Sequence, residues 1–465
     1  IIIDKRGSVA GRAIIILDIG KTHSKLTLWE RSGVLLERRV RPNKSSEGRL
    51  DALGIEAWLS ETLTDFAKRA NVGAIMPVAH GATAALVKDG ALVCPVMDYE
   101  ADIPNDVRRD YHKLRGAFSE TGSPALAAGL NLGAQLFAQK HLLSGSVVLL
   151  WPQYWSWLLS GVAASEVTSL GCHTDLWNPN AGRFSTLAGR IGATFPPLRR
   201  ASESLGPITA EWAARTGLPA DTQIHCGLHD SNAALLSARG FAEIAKGEAT
   251  VLSTGTWFVA MRTPDRALEA PALSEARDCL INVDAFGMAI PSARFMAGRE
   301  IEMLLEGAAS IDDVADQPAL LAAAASVVAA SVMILPSFVT GCGPFPQRRG
   351  GWRLEPDDVT ARRAAIALYA ALMADTSLDL IGARAFILIE GRFANAQVFV
   401  RALARLRPDT MIYTASAEND VSFGALRLLE PSLRPTVALK RVAPLDVDLT
   451  AYKAKWHELI EGNAA

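Results

Sequence analysis

Two segments that turn back on themselves constrain this chain more than any other feature. The first is AIIILDIGKTHSKLTLW, residues 13–29. An apolar run from Ala13 to Leu17 ends in a lone acid, Asp18. Ile19-Gly20-Lys21-Thr22-His23 supply a turn, and Ser24 to Trp29 resume the alternation of a strand. A glycine in such a turn lets backbone N–H groups come close to an anion, and Lys21, Thr22 and Ser24 add donors. Asp18 at the strand end is placed to hold a cation near that anion. The second segment, VLSTGTWFVAM at 251–261, repeats the plan with a Thr254-Gly255-Thr256 turn between apolar strands. Two such hairpins in two halves of one chain predict two similar domains facing one phosphate.

The length agrees, because 465 residues exceed one ordinary core. The boundary is expected near residue 240, giving domains at 1–240 and 241–465. In the first, a meander at 13–41 is followed by helix 51–70, strand 73–79, helix 206–217, strand 221–226 and helix 231–239. In the second, strands at 249–261, 281–290, 385–390 and 411–414 alternate with helices at 299–306, 312–330, 361–383 and 394–406. A polar helix at 450–461 ends the pattern. Helices alternating with short strands around two meanders predict an α/β fold.

Hydrophobic content of 49% and charged content of 21% describe a soluble chain. A net charge of −2 gives no reason to expect nucleic acid or an anionic membrane as partner. Residues 319–335 carry no charge, but they stop at Pro336, short of the roughly 20 residues of a span. They read as a buried helix entering a strand. Cys94, Cys172, Cys226, Cys279 and Cys342 are scattered, with no C-x-x-C, so neither a disulfide framework nor a zinc site is expected. The apolar runs at the start are split by Asp4, Lys5, Arg6 and Arg12, unlike a signal peptide, and a cytoplasmic location is expected.

Three further segments carry candidate chemistry. Gly227-Leu228-His229-Asp230 sits where a strand gives way to a helix. An Asp there is either an N-cap or a general base at a strand end. Its pairing with Asp18 and the two hairpins favours the base. Glu390-Gly391-Arg392 to Asn395 puts a glycine directly after a strand, where a flat ligand can approach, although many αβ units carry such a glycine. Residues 340–351, TGCGPFPQRRGG, read as a long ordered loop or flap.

With these segments in this order, residues 13–430 resemble the FGGY carbohydrate kinases, of the actin-like ATPase (ribonuclease H-like) fold. Asp18-Ile19-Gly20-Lys21-Thr22 is similar to the family's first phosphate motif, and Ser253-Thr254-Gly255-Thr256-Trp257 to its second. Gly227-Leu228-His229-Asp230 resembles the catalytic Asp segment. Gly341 to Gly351 resembles the loop over the nucleotide, Glu390-Gly391-Arg392 to Asn395 the adenosine motif, and Phe423-Gly424-Ala425 the late helix start. Lys21 replaces a usual small residue, Gln153 a usual Asp, and Val96-Met97-Asp98-Tyr99-Glu100 a usual Trp-x-Asp-x-Arg.

The resemblance implies two ribonuclease H-like domains with a cleft between them. It also implies an ATP- and Mg²⁺-dependent phosphotransferase acting on a small-molecule sugar. Asp230 is the implied base, and Asp18 and Asp230 the implied metal ligands. Gly20, Lys21, Thr22, Thr254, Gly255, Thr256, Gly343, Gly391 and Asn395 would bind nucleotide. His80, Asp98, Tyr99, Glu100, His173 and Asp230 would bind a pentulose or 6-deoxyhexulose such as xylulose, rhamnulose or fuculose. Two other readings stay open: a non-transferring ATP-binding regulator of the same fold, and a kinase of a sugar acid. A homodimer is compatible with either.

Overall fold

The structure is a computed structural model and describes residues 11–266, 273–415 and 421–462. The apolar run at 1–3 and the acid and bases at 4–6 lie outside the described residues. The chain forms two compact units. The first takes 11–240, 281–289 and 421–434, and the second the rest.

In the first unit, β1 (Ala13–Ile19), β2 (His23–Trp29) and β3 (Leu35–Pro42) make an antiparallel meander. All seven residues of β1 are buried, the apolar run Ala13–Leu17 as a central strand demands and Asp18 along with it. β4 (Val72–Ala79) pairs parallel with β1. β5 (Ser204–Pro207), β6 (Gln223–His225) and β7 (Leu228–His229) complete the sheet, in the order β5-β6-β4-β1-β2-β3 with β7 also on β4. The break between β6 and β7 needs its glycine. Gly227 has φ +83°, and a Cβ there would lie 2.3 Å from the Pro77 carbonyl oxygen. Helix Trp151–Ser160 buries Trp151 and Trp155 completely in the core of this unit, while Trp157 is half-buried. Helix Val421–Leu429 lies against helix Asp230–Ala238, so close that a Cβ on Gly424 would overlap the Ala233 carbonyl oxygen. That contact groups 421–434 with the first unit.

The second unit repeats the plan. β8 (Ala249–Thr254) and β9 (Phe258–Thr263) form the hairpin, and β10 (Ala289–Phe295) pairs antiparallel with β9. β11 (Phe386–Gly391) runs parallel to β8, and β12 (Met411–Ala415) parallel to β11. β13 (Leu439–Arg441) closes one edge, so that β10-β9-β8-β11-β12-β13 are six of the seven strands of this sheet, the seventh being Cys279–Val283 beside β10. The order β10-β9-β8-β11-β12 matches β3-β2-β1-β4-β6 strand for strand, so the two halves share one α/β topology. Helix Val359–Leu380 is capped by Asp358, which accepts from the Ala361 N–H at 2.7 Å, and is buried over most of its length.

Two expectations about elements need correction. Residues 281–290 are not one strand, because a turn interrupts them at Asp284. The Asp284 Oδ1 accepts from the Phe286 and Met288 N–H groups, both at 2.9 Å, and Gly287 sits at φ +86°. The uncharged stretch after residue 317 forms helix Gln317–Ala329 and then strand Met333–Leu335, but the helix buries one face only, through Leu320, Ala324 and Val327. All five cysteines are free thiols. Among the described residues, no helix is long and apolar enough to cross a membrane.

Candidate active site

Parallel strands end together, and loops at their carboxyl ends collect functional side chains. In the first unit the register Ile19–Ala79–His229 aligns the ends of β1, β4 and β7. Asp18 therefore lies at the end of β1 and Asp230 just past β7, two strand spacings or roughly 10 Å apart along the sheet. His80 follows β4 between them, its N–H donating to the Ile19 carbonyl at 3.1 Å.

Asp230 is the first residue of its helix, and His229 is the N-cap residue. The carboxylate does not cap the turn in the usual way. It accepts from its own neighbour, the Ser231 N–H, at 2.6 Å, and its side chain keeps 28% exposure. Burial raises its pKa, while His80, the Ser231 bonds and Lys25 pull it back. The His229 ring nitrogen Nε2 lies 3.2 Å from Asp230 Oδ1 and 3.5 Å from Cys172 Sγ, and its Nδ1 lies 3.4 Å from the Asn232 amide. Burial depresses the His229 pKa to about 4, so the ring is neutral near pH 7 and its contact with Asp230 is a hydrogen bond. Gly81 makes room for this arrangement, since a Cβ there would meet Cys172 Sγ at 2.5 Å and His229 Nε2 at 2.9 Å.

Asp18 is buried and pairs across the hairpin with Lys25, whose Nζ is 3.6 Å from its Oδ2. Lys21 turns away along the loop. Its ammonium donates to both carboxylate oxygens of Asp98, lies 3.2 Å from Glu100 Oε2, and sits 4.8 Å from the centre of the Tyr99 ring. Burial pushes the Asp98 carboxyl up, but the Lys21 ammonium outweighs it and holds the group below the usual carboxylate range. The Tyr99 ring meets His80 edge-on at 5.3 Å. Burial raises the Tyr99 phenol, and the charges of Glu100, Asp230 and Asp98 raise it further. Burial lowers the His80 pKa, against the Gly81 carbonyl and the Asp230 charge, which raise it. Asp18, Lys21, His80, Asp98, Tyr99, Glu100 and Asp230 thus form one neighbourhood. The His173 ring instead engages the Leu130 carbonyl through Nδ1 at 2.6 Å. Thr22 is exposed on the turn, where the Gly20 N–H donates to the His23 carbonyl at 3.0 Å.

In the second unit, Thr254 ends β8 opposite Gly391 of β11. The buried Thr254 hydroxyl donates to the Glu390 carbonyl at 2.5 Å and accepts from the Phe393 N–H at 3.1 Å. Gly391 has φ +85°, and a Cβ there would come within 2.2 Å of the Thr254 carbonyl oxygen. The Gly255 N–H donates to the Trp257 carbonyl at 3.0 Å, and Thr256 is exposed. Gly298, not singled out from the sequence, lets helix Ala297–Leu305 start against this turn, with the Gly255 carbonyl oxygen 2.1 Å from where a Cβ would be. The flap glycine Gly343, at φ +79°, donates to Asp278 Oδ2 at 3.2 Å. Buried Glu300 anchors the strand side of the flap. Its Oε1 accepts from the Phe338 and Val339 N–H groups at 2.9 and 3.1 Å, and its Oε2 from the Tyr369 hydroxyl at 2.6 Å. Asn395 is exposed at the end of a short 3₁₀ turn, Arg392–Asn395.

Residues that sequence reasoning did not single out are Cys172 and Asn232 near Asp230, and Gly298 at a close approach; His229 and Gly424 lie in motifs it did name, but their contacts come from packing. Isolated glycines at strand and helix ends were the readable signal. Among the described residues, no group of three or more His, Cys, Asp and Glu side chains is arranged to hold a metal. A hydrated Mg²⁺ asks for less, since one or two carboxylates plus phosphate oxygens suffice. Asp18 and Asp230, two strands apart at the same end of the sheet, are the carboxylates that could be offered to such an ion.

Comparison with known proteins agrees with this architecture. Residues 246–436 match the model of the carbohydrate kinase FGGY C-terminal domain. A carbohydrate kinase from Novosphingobium aromaticivorans is 51% identical, with a TM-score of 0.94 over 98% of this chain and 100% of that one. A gluconate kinase from Lactobacillus acidophilus (14% identity, TM-score 0.75, 97% and 96% covered) shares the fold. So does a glycerol kinase from Plasmodium falciparum (13% identity, TM-score 0.76, 98% and 99% covered). No curated protein sequence matches the chain. The family model on the second half and the half-identical relative along nearly the whole length place the chain among the FGGY carbohydrate kinases.

Proposed function

We propose that this kinase transfers the γ-phosphate of ATP to a hydroxyl of a neutral ketose or polyol, with Asp230 as general base. The acceptor is a pentulose or a 6-deoxyhexulose. The observation that carries the reading is the setting of Asp230: a carboxylate at a strand end, raised by burial, partly open to solvent and steadied by a neutral His229. Burial makes such a carboxylate more basic than an exposed Asp, which is the direction a general base needs.

In the proposed reaction Asp230 takes the proton of the acceptor hydroxyl as that oxygen bonds to the γ-phosphorus. The bond from phosphorus to the bridging oxygen breaks, its electron pair leaves with ADP, and Asp230 later returns its proton to solvent. Phosphoryl transfer depends mostly on positioning and charge stabilisation. The two hairpin turns, at Gly20–His23 and Gly255–Trp257, would hold phosphate oxygens. Asp18 and Asp230 would hold a partly hydrated Mg²⁺, which neutralises charge on the phosphates. His80, Tyr99 and Glu100 would contact the acceptor, and Gly391 would let the nucleoside lie against β11. A coupled ADP-release screen over pentuloses, 6-deoxyhexuloses and alditols tests the reading. ADP release that depends on one of them is expected. ATP hydrolysis indifferent to every acceptor would overturn it.

A further inference from the structure

We propose that Lys21 and Asp98 form a charge lock that keeps the acceptor site selective for neutral substrates. The proposal rests on the reading above that residues 98–100 face the acceptor. A lysine in a phosphate-type turn is expected to point its charge at phosphate. Here both oxygens of buried Asp98 already accept from the Lys21 ammonium, Glu100 stands 3.2 Å away, and the Tyr99 ring lies beneath it. The Glu100 N–H also donates to Asp98 Oδ1 at 2.9 Å, so the Asp98 oxygens are committed within the protein. Hydroxyl recognition then falls to Tyr99 and to Glu100, whose side chain is 67% exposed.

The charges around this neighbourhood are the ammonium groups of Lys21 and Lys25 and the carboxylates of Asp18, Asp98, Glu100 and Asp230. Both ammonium groups sit in ion pairs, so an acceptor carboxylate meets a net negative field. To gain a partner it must take Lys21 from Asp98, which leaves a buried carboxylate unpaired. A neutral polyol faces no such exchange. The lock thus excludes acids by the cost of breaking it, and removing Asp98 should release the lysine for an acid.

The test is kcat/KM for a ketose and the aldonic acid of the same carbon skeleton, beginning with D-xylulose and D-xylonate and using the best ketose found in the screen. Wild type should favour the ketose by more than about tenfold. Asp98→Asn should narrow that ratio by about tenfold or more, mainly through a lower KM for the acid. Lys21→Ala should raise the KM for the ketose by about tenfold while the KM for ATP stays unchanged, a result that does not depend on how well the Asp98 variant folds. A KM for ATP that rises in Lys21→Ala with no change for the ketose would overturn the lock and return Lys21 to the phosphates. An unchanged ratio in Asp98→Asn, with Tyr99→Ala still raising the ketose KM, would overturn the lock but keep the acceptor site. If Tyr99→Ala also changes nothing, or if wild type prefers the acid, the acceptor reading falls with it.

Discussion

Glu166 offers a stability prediction whose size follows from the structure. It is fully buried beside the loop that carries the candidate base. Its Oε2 accepts from the Thr168 and Ser169 N–H groups at 3.0 and 3.2 Å and from the Thr168 hydroxyl at 2.5 Å. That hydroxyl accepts in turn from the His229 N–H at 2.9 Å. Burial outweighs these bonds and raises the Glu166 pKa from 4.5 to about 7. The folded state therefore binds the proton more tightly than the unfolded chain. Its stabilising effect is complete below the unfolded pKa and disappears as pH climbs through about 7. At about 1.4 kcal/mol per pH unit, the wild type should lose about 2–3 kcal/mol between about pH 5 and about pH 8. Glu166→Gln cannot ionise and should not lose it, whatever constant offset its amide adds. Other titrating groups are common to both proteins, so the difference between them isolates this one. Thermal unfolding of both across that range is the assay. The variant should gain roughly 2–5 °C on the wild type from the acidic to the alkaline end. A gap between the two melting temperatures that stays constant with pH would refute the reasoning.

Gly391→Ala should destabilise the second unit by at least about 2 kcal/mol, because φ +85° and a 2.2 Å approach to the Thr254 carbonyl both exclude a side chain. Calorimetric melting checks it, and an unchanged melting temperature contradicts the stated geometry. Asp18→Ala should shift the Mg²⁺ concentration needed for half-maximal turnover upward, read by titrating Mg²⁺ at fixed ATP; an unchanged titration would leave Asp18 with a structural role only.

The repeated hairpin was legible because its signals are local. An unbroken apolar run such as β1, a glycine turn and a second strand lie within 17 residues, 13–29, and recur at 249–263. Asp230 was legible for the same reason, as an acid where strand becomes helix. What could not be read depends on long-range packing. The residue that takes the charge of Lys21 is 77 positions away, and the thiol beside His229 is 57 positions away. No local pattern assigns helix Val421–Leu429 to the first unit; that follows from the bare backbone of Gly424 against Ala233. The turn at Asp284–Gly287 did carry a readable signal, an Asp and a Gly inside an apolar run, and hydrophobicity alone concealed it. Asn395 matched a motif by position, yet its side chain is exposed, which a motif does not specify.

The central claim is that Asp230 is the group that deprotonates the acceptor. It is tested most directly by the single-turnover rate of Asp230→Asn with ATP, Mg²⁺ and the acceptor identified in the screen, alongside calorimetric binding of ATP to the same sample. The amide keeps the size of the side chain and can still accept from the Ser231 N–H. The account predicts a transfer rate lower by roughly 100- to 10,000-fold with ATP affinity retained. Transfer at close to the wild-type rate by a folded, ATP-binding variant would contradict it.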